Sequence, residues 1–449
     1  MKSCRQRRYL YGDLERVVGI LLVLTVACGA STQFQEGLDR RGAPLASAVP
    51  FSGEGDSGTS RRPPEPIIHD LAAGHGHTCM VAGSGRIPWC WGQNESGQLG
   101  DSTILGRTHP TPVSGLGDVI QISLGMGSSC ALDRRRRVWC WGELAWPGAI
   151  PAAPRPTMLG TRGSVASISV GLSHSCLREE SGEVWCWGLN SSGELGLGRC
   201  IEQHRAEFPS DQESTLEGLR VPELPPMVQV SSASMYNAGF TSDGTIWTWG
   251  GGNCMDPLFP GLLPRRPRHA VGAEQRAHVP GITMISAGAD ALCIRTLLGI
   301  VQCLGANQFG TLGDGTTTDR SNFGPVQGLD EVTALGGRME SFCAVRRDGS
   351  LWCWGNNEYG QLGAGRGDET CLGPSFRHAL SIRPVPCRRR PTRVPLPAPV
   401  VRMALGGSHA CAALSDDSLW CWGRNEYGEV GDGTLVERWL PVRIFWEHR

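Results

Sequence analysis

Residues 351–363 read LWCWGNNEYGQLG, and variants of this stretch recur along most of the chain. The Trp-Gly pair begins at Trp91, Trp141, Trp187, Trp249, Trp354 and Trp422, and Leu304-Gly305 stands in the one equivalent place that lacks it. The seven units lie 46 to 68 residues apart. Self-similarity at such a period indicates a structural unit that stacks on its own copies, and the repeat therefore decides the fold.

Each unit has the same internal order. In unit two, the apolar stretch 119–125 precedes Cys130-Ala131-Leu132, a polar turn and then VWCWG at 138–142. In five units Trp-Gly, or Leu304-Gly305 in unit five, is followed by Asn-x-x-Gly-x-Leu-Gly or a close variant. A Pro-rich connection then leads to a fourth segment, such as 440–442. Apolar alternation between turn residues predicts four short strands per unit. The predicted fold is all-β, a seven-bladed β-propeller of four-stranded blades.

The repeat resembles the regulator of chromosome condensation repeat family. The resemblance rests on Cys-Ala-Leu, then Gly-x-Val-Trp-Cys-Trp-Gly, then Asn-x-x-Gly-Gln-Leu-Gly, and it covers about residues 65–449. It implies a seven-bladed propeller. The family's namesake is a chromatin-bound exchange factor for a small nuclear GTPase, so the resemblance also implies guanine-nucleotide exchange. A secreted bacterial relative that inhibits β-lactamases implies a further alternative, an inhibitor of an exported enzyme.

The N-terminus has the features of an export signal. Four basic residues among the first eight precede an apolar run, 17–27, which has the length of a signal-peptide core and is too short to span a bilayer. The following residues are rich in Gly, Ser, Ala, Pro and charge and show no strand or helix period. We expect a signal peptide at 1–28, a disordered, flexible tether at 29–64 and the propeller at 65–449.

The apolar run ends at a candidate lipidation site. Residues 24–28 read LTVAC, which resembles a bacterial lipobox. The resemblance implies that Cys28 is acylated and becomes the new N-terminus. The alternative is ordinary cleavage near Ala27 or Ala30, which leaves Cys28 as a free thiol. No other stretch approaches 18 apolar residues, so we expect membrane attachment only through the N-terminal lipid.

Twelve of the 18 cysteines form six pairs that bracket a turn, and the spacing is ten residues in five of them. Such a turn places two residues opposite each other, with Cβ atoms about 4.5–5.5 Å apart, close to what a disulfide needs. In unit four both cysteines are replaced together, by Ala238 and Thr248. If the protein is exported to an oxidising compartment, the paired loss of both cysteines in unit four predicts six intra-blade disulfides. Buried reduced thiols and a metal site are the alternatives. The pairs are Cys79/Cys90, Cys130/Cys140, Cys176/Cys186, Cys293/Cys303, Cys343/Cys353 and Cys411/Cys421.

Four further cysteines lie between Trp-Gly and the fourth strand of their units. We expect Cys371 to pair with Cys387 and to staple the long loop of unit six. Cys200 with Cys254 would tie neighbouring blades. Connections at equivalent positions must emerge on one face of a propeller, and insertions on one face indicate the binding surface.

These long connections carry separated charges. A basic lobe and an acidic lobe on one face would orient a protein partner, although solvated loop charge is the plainer alternative. The candidate binding residues are Arg265 and Arg266 in unit four, Arg383, Arg388, Arg389 and Arg390 in unit six, and Glu202 and Glu207 in unit three. Aromatic residues do not interleave with the arginines, so a nucleic-acid platform is not expected.

Candidate catalytic chemistry is sparse. Lys2 is the only lysine, which excludes a catalytic or Schiff-base lysine from the propeller. His77, His174 and His409 stand two residues before the first cysteine of their units; they would either ring an opening and bind a metal or bond within their own turn. No cofactor or catalytic residue is assigned.

Three functions compete on these observations. We favour an exported, lipid-anchored bacterial propeller, not an enzyme, that binds a protein or a surface glycan through long loops on one face. It would act as a monomer, facing the periplasm or the cell surface, or be secreted. Nucleotide exchange is the alternative by resemblance, and an exported hydrolase or lyase would need clustered acid and base residues, which the loops do not show. The net charge of −1 gives no support to nucleic-acid binding.

Overall fold

A computed structural model describes residues 67–143, 153–161, 163–198, 218–251, 272–375, 377 and 381–446. All of them lie in one compact unit, Pro63–Arg449. Their secondary structure is 29 β-strands in seven sheets. Among these residues no helix has the length and apolar character needed to cross a membrane.

The seven sheets follow the seven sequence units in order. Blade 1 contains β1 Ile68–Ala73, β2 His77–Ala82, β3 Ile87–Gly92 and β4 Arg107–Pro112; blade 2 contains β5 Val119–Leu124, β6 Ser128–Asp133, β7 Val138–Gly142 and β8 Ala153–Met158. Blade 3 contains β9 Val165–Val170, β10 His174–Glu179, β11 Val184–Gly188 and β12 Leu219–Arg220; blade 4 contains β13 Gln229–Ser232, β14 Tyr236–Phe240, β15 Thr245–Gly250 and β16 Glu274–His278. Blade 5 contains β17 Ile282–Ala287, β18 Ala291–Thr296, β19 Val301–Gly305 and β20 Arg320–Pro325. Blade 6 contains β21 Val332–Arg338, β22 Ser341–Arg346, β23 Leu351–Asn356, β24 Thr370–Ser375 and β25 Ser381–Arg393; blade 7 contains β26 Val400–Leu405, β27 His409–Leu414, β28 Leu419–Gly423 and β29 Arg438–Ile444.

The first strands of the blades form a closed ring around a central channel. Each contacts the first strand of the next blade, from β1 through β5, β9, β13, β17 and β21 to β26, and β26 contacts β1 again. Every described sheet is built from strands that are consecutive in the chain. No described sheet therefore combines strands from the N-terminal and C-terminal ends of the propeller. The predicted seven-bladed propeller is confirmed, and its ring closes by face-to-face packing of blades 7 and 1.

The Trp-Cys-Trp motif packs each blade against both of its neighbours, because successive side chains of a strand point to opposite faces. In blade 6, Cys353 packs with Trp422 of blade 7. Trp354, the next residue, packs with Cys303 of blade 5. Both faces of β23 are therefore buried, which explains why the motif is apolar at consecutive positions.

Two glycines of the repeat occupy positions where a residue with a side chain would not fit. Gly355 of the Trp-Gly pair has φ of 102°, and a Cβ there would lie 2.2 Å from the carbonyl oxygen of Glu340. Gly363, which ends the Gln-Leu-Gly segment, has φ of 66°, and a Cβ would lie 2.6 Å from the indole nitrogen of Trp422 in the next blade. Glycine recurs at these positions because the left-handed backbone and the close neighbours both require it.

All six intra-blade disulfides expected from the sequence are present. In each, the two cysteines face each other on the second and third strands, as in the Cys343↔Cys353 register, with Cα atoms 4.1 Å apart. In blade 4 the same two positions are Ala238 and Thr248, which also face each other. The other five bridges are Cys79–Cys90, Cys130–Cys140, Cys176–Cys186, Cys293–Cys303 and Cys411–Cys421.

Blade 6 departs from the predicted four strands. The connection expected as a loop forms a hairpin of β24 and the first half of β25, and β25 continues as the fourth strand beside β23. This makes a five-stranded sheet in the order β21-β22-β23-β25-β24. The expected Cys371–Cys387 disulfide ties the two strands of the hairpin. The sequence did not predict these strands because the segment lies outside the repeat and alternates weakly.

Candidate binding face

The propeller has two different ends. At one end lie the turns between the first and second strands of each blade and the connections between the third and fourth; we call this end the loop face. The two sets of segments are bonded to each other: the amide of Asn356, after Trp-Gly, donates to the carbonyl of Glu340 in the turn, and Gln93 donates to Gly76 in the same way. At the opposite end lie the turns between the second and third strands, such as that between β6 and β7.

The Asn-x-x-Gly-x-Leu-Gly segment is a loop organised by its own asparagine. Asn425 is fully buried; its Oδ1 accepts the amide of Val430 at 3.0 Å, and its Nδ2 donates to the carbonyl oxygens of Thr434 and Val436 at 3.0 and 3.1 Å. The same contacts recur around Asn94 and Asn307. The motif asparagine is therefore part of the scaffold of the loop face and is not available to a ligand.

The histidines before the first cysteine bond to the next blade. His77 Nε2 lies 2.9 Å from Ser129 Oγ of blade 2, His174 Nε2 lies 2.9 Å from Asn237 Oδ1 of blade 4, and His409 Nε2 lies 2.8 Å from Thr78 Oγ1 of blade 1. The expectation that they bond within their own turn is wrong, since stacking of the blades brings the second strand of the next blade within hydrogen-bond distance of each Nε2. The described residues contain no cluster of three or more His, Cys, Asp or Glu that would hold a metal.

A ladder of alternating arginines and tyrosines crosses the loop face at blades 6 and 7. The Arg377 guanidinium lies 4.3 Å from the ring centroid of Tyr359, and Arg424 lies 5.4 Å from Tyr359 and 5.3 Å from Tyr427. We call Arg377, Tyr359, Arg424 and Tyr427 the Arg-Tyr ladder. Tyr359 is buried between its two cations, whereas Tyr427 is 36% exposed. Stacking of cations on tyrosine faces holds these side chains in place and leaves an exposed aromatic edge.

The hairpin of blade 6 extends across its two neighbours. On the blade 7 side, Arg377 after β24 forms a salt bridge with Glu437 at 2.5 Å. On the blade 5 side, Phe309 packs against Cys371, Val385 and Cys387 in a small buried cluster. One face of the hairpin is therefore fixed to the propeller. Leu372 and Ile382, on its other face, are 66% and 65% exposed.

Exposed apolar side chains on the described connections lie on three consecutive blades. Besides Leu372 and Ile382 of blade 6, they are Leu435 and Val436 of blade 7 and Ile104 and Leu105 of blade 1. The equivalent positions of blade 5 are Thr317 and Thr318. Grouped exposed apolar residues beside arginine and tyrosine are typical of a protein-binding surface.

Described residues border two cavities, one at the axis of the propeller and one between the loop-face turns of blades 5 and 6. The larger, about 190 Å³, is the central channel, bordered by the first strands. The smaller, about 10 Å³, is bordered by Asp290 and Glu340. Burial raises the pKa of Glu340 to about 8, and Asn356 Nδ2 donates to its carboxylate at 3.3 Å. A space of that size holds about one water molecule, so the carboxyl groups of Asp290 and Glu340 do not border a substrate site there.

The structure places the predicted loop arginines of blade 6 at different positions on the hairpin. Arg383 is exposed on β25. Arg389 is paired with Glu369, and Arg388 donates to the carbonyl of Cys387 at 3.3 Å. Arg390 is exposed beside Gly315 of blade 5. The predicted site residues Cys28, Cys200, Cys254, Glu202, Glu207, Arg265 and Arg266 lie outside the described residues.

Sequence reasoning missed the Arg-Tyr ladder, although a signal was present. Only units six and seven read Asn-Glu-Tyr-Gly, with Tyr359 and Tyr427 at the same position. A second missed residue is Arg338, which stands in blade 6 where the other blades have Gly or Ala. Aligning the seven repeats position by position exposes both, whereas a search for charge runs finds neither.

A closed ring of seven similar blades with a connection-rich loop face defines a propeller repeat protein. The regulator of chromosome condensation (RCC1) repeat model matches residues 85–132, 181–238, 348–413 and 416–448, and a second RCC1 repeat model matches 165–194 and 400–429. The chain belongs to the RCC1 repeat family.

Similar proteins come from plants, animals and yeast. The ultraviolet-B receptor UVR8 of Arabidopsis thaliana is 26% identical over 397 residues, covering 85% of this chain and 82% of the receptor. The human E3 ubiquitin-protein ligase HERC2 is 28% identical over 247 residues, covering 51% of this chain and 4% of the ligase. Among solved structures, Prp20p of Saccharomyces cerevisiae matches with a TM-score of 0.64 at 17% identity, covering 85% of this chain and 87% of that one. This last likeness shows the shared fold.

Proposed function

We propose that the protein is an exported, lipid-anchored binding module that holds a protein partner on the loop face of blades 6, 7 and 1. The observation that carries the proposal is the Arg-Tyr ladder beside six exposed apolar side chains on the connections of these three blades. Arginine and tyrosine are among the residues most enriched at interface hot spots, and cation–aromatic stacking presents them without further ordering.

The cysteines support an extracytoplasmic setting. Seven disulfides lie within the described residues, and six of them recur at one position of the repeat. Bridges of this number persist in oxidising compartments. Together with the signal-like N-terminus and the lipobox-like ending at Cys28, they favour a protein held outside the cytoplasm by an N-terminal lipid.

A binding function also agrees with the cavities. Ligand sites for small molecules occupy about 300–1,000 Å³, which is more than either of these two cavities. The related fold of Prp20p supports protein binding in a general way, since that protein binds Gsp1p and histones. Both points favour a binder over a hydrolase or lyase.

Nucleotide exchange is the second candidate. It is favoured by similarity to the mouse secretion-regulating guanine nucleotide exchange factor, 24% identical over 236 residues. The chain spans about half the length of that relative. An oxidising compartment disfavours exchange, because small GTPases act where thiols are reduced.

The near absence of lysine allows a sharp test. Lys2 is the only lysine, so an amine-directed cross-linker reacts with the propeller only at a lysine that is introduced. Arg366, exposed on the loop face of blade 6, and Arg135, exposed in the β6–β7 turn at the opposite end, form a matched pair for Arg→Lys replacement. Each variant is expressed in the native cells and cross-linked there.

We expect R366K to form one covalent adduct of constant mass with another protein, and R135K to form none. The adduct should disappear when R366K is combined with Arg424→Ala and Tyr427→Ala. Equal labelling of both variants, or an adduct indifferent to the ladder, would overturn the assignment of this face. An adduct with a small GTPase would instead support nucleotide exchange.

A further inference from the structure

Arg338 occupies a position in the central channel that the other six blades leave without a long side chain. The position is the last residue of the first strand in blade 6 and directly follows that strand in the other blades, where its occupants are Gly74, Gly125, Gly171, Ala233, Gly288 and Gly406. From blade 6 the Arg338 side chain crosses the channel to blade 3. There Nη1 and Nη2 lie 3.3 and 3.5 Å from the carbonyl oxygens of Val170 and Gly171.

The charge of Arg338 has no carboxylate partner among the described residues. Its two contacts are long and go to neutral carbonyl groups. Burial lowers the pKa of Arg338 to about 10, so the guanidinium remains protonated at neutral pH. Its positive charge also contributes to lowering the pKa of His75, His77, His174 and His409. A partly buried cation without a carboxylate partner is costly unless an anion or water compensates its charge.

The channel beside Arg338 is a polar cavity of about 190 Å³. Ser123, Ser169 and Ser231, at one position of blades 2, 3 and 4, border the same cavity. Each Oγ accepts a backbone amide of the next blade, at 3.0, 2.8 and 3.1 Å. Within the described residues no acceptor is found for their own hydroxyl hydrogens. Three O–H donors and a guanidinium therefore border one cavity.

We propose that the central channel binds a small inorganic anion, of phosphate size or smaller, between the Arg338 guanidinium and the hydroxyl groups of Ser123, Ser169 and Ser231. Arginine pairs well with oxyanions because its planar fork offers parallel N–H donors. The cavity exceeds the volume of several water molecules, so there is room for such an ion with part of its hydration shell. The anion would bridge blade 6 to blades 2, 3 and 4 through the axis.

The test uses inorganic phosphate and bromide as probes on the purified protein. Isothermal titration calorimetry measures direct binding, and thermal unfolding is followed against probe concentration at constant ionic strength. The variant is Arg338→Met. The matched control is Arg295→Met, because Arg295 also bonds the carbonyl of a neighbouring blade, that of Val332, and does not border the channel cavity.

Saturable binding of one anion per chain, with a Tm that rises with probe concentration in the wild type and R295M but not in R338M, supports the proposal. Saturation by bromide alone supports the same chemistry with a smaller ion. If R338M does not fold, Arg338→Lys replaces it, with at least tenfold weaker binding expected from loss of the fork. A wild-type Tm that follows ionic strength only, with no calorimetric saturation by either probe, would overturn the proposal.

Discussion

The indole nitrogen of Trp91 donates a 2.9 Å hydrogen bond to the carbonyl oxygen of Glu429, 338 residues later in the chain. Thr78 Oγ1 donates to the same carbonyl at 2.8 Å. These bonds join blade 1 to the loop of blade 7, and the bonds from Trp141 to Gln98 and from Trp422 to Gln361 repeat the arrangement between consecutive blades. The contact that links neighbouring repeats therefore also closes the ring.

Replacing Trp91 with Phe should lower the free energy of unfolding by about 1–3 kcal/mol, because a buried hydrogen bond is lost and a cavity is left. Trp420→Phe is the control, since the Trp420 indole bonds only Ser418 Oγ of its own turn and is half-buried. Urea unfolding of both variants measures the difference. Equal losses would contradict a special role of Trp91 in closing the ring.

Blade 4 should accept the disulfide that it lacks. Ala238 and Thr248 are paired directly across β14 and β15, as the bonded cysteines are in the other blades. The double variant A238C/T248C is expected to form a bridge and to raise the free energy of unfolding by about 2–3 kcal/mol, the value for a loop of about ten residues. Thiol titration and unfolding with and without reductant check both parts. Two free thiols in the folded variant would show that the strand pairing assigned to blade 4 is wrong.

Acid should destabilise the propeller through its inter-blade histidines. Burial lowers the pKa of His409 to about 3, against 6.5 ordinarily. Between these values the unfolded chain binds a proton that the folded chain does not, so stability falls as the pH drops below about 6.5. His409→Gln should reduce this loss by about 1.4 kcal/mol per pH unit between pH 6 and 4. Unfolding curves across that range, parallel for wild type and H409Q, would contradict the assignment.

The Cys371–Cys387 bridge should stabilise its hairpin locally. Its buried cluster contains Phe309 and Val385 besides the two cysteines, so Cys371→Ala with Cys387→Ala removes the bridge and weakens the apolar contact that holds the hairpin on the blade 5 side. We expect faster amide hydrogen exchange in residues 369–387 and little change elsewhere. Cys343→Ala with Cys353→Ala removes the bridge within blade 6 that packs against blade 7, and should instead lower the free energy of unfolding by about 2–3 kcal/mol. Faster exchange spread over the whole propeller in the hairpin variant would contradict the local role.

Features that repeat could be predicted from the sequence, and features that occur once could not. The blades follow from period-two alternation, and the six disulfides follow from cysteines placed around a turn. Both patterns are local, because each lies within one repeat. The fifth strand of blade 6, the path of Arg338 across the channel and the bond from His77 to Ser129 depend on contacts between blades, which a single repeat does not contain. Of the predicted loop charges, Arg383, Arg389 and Arg390 are exposed, and Arg389 is also paired with Glu369.

The most direct test of the central claim, an exported propeller anchored by its N-terminus, is the mass of the protein made with its own leader in a bacterial host. Intact mass and peptide mapping without reduction are measured together. The account predicts a chain that begins at an acylated Cys28, with the paired cysteine peptides joined. A chain cleaved near Ala27 or Ala30 without lipid would keep export and remove the anchor. A full-length, unlipidated chain with free thiols would contradict export and favour the nucleotide-exchange alternative.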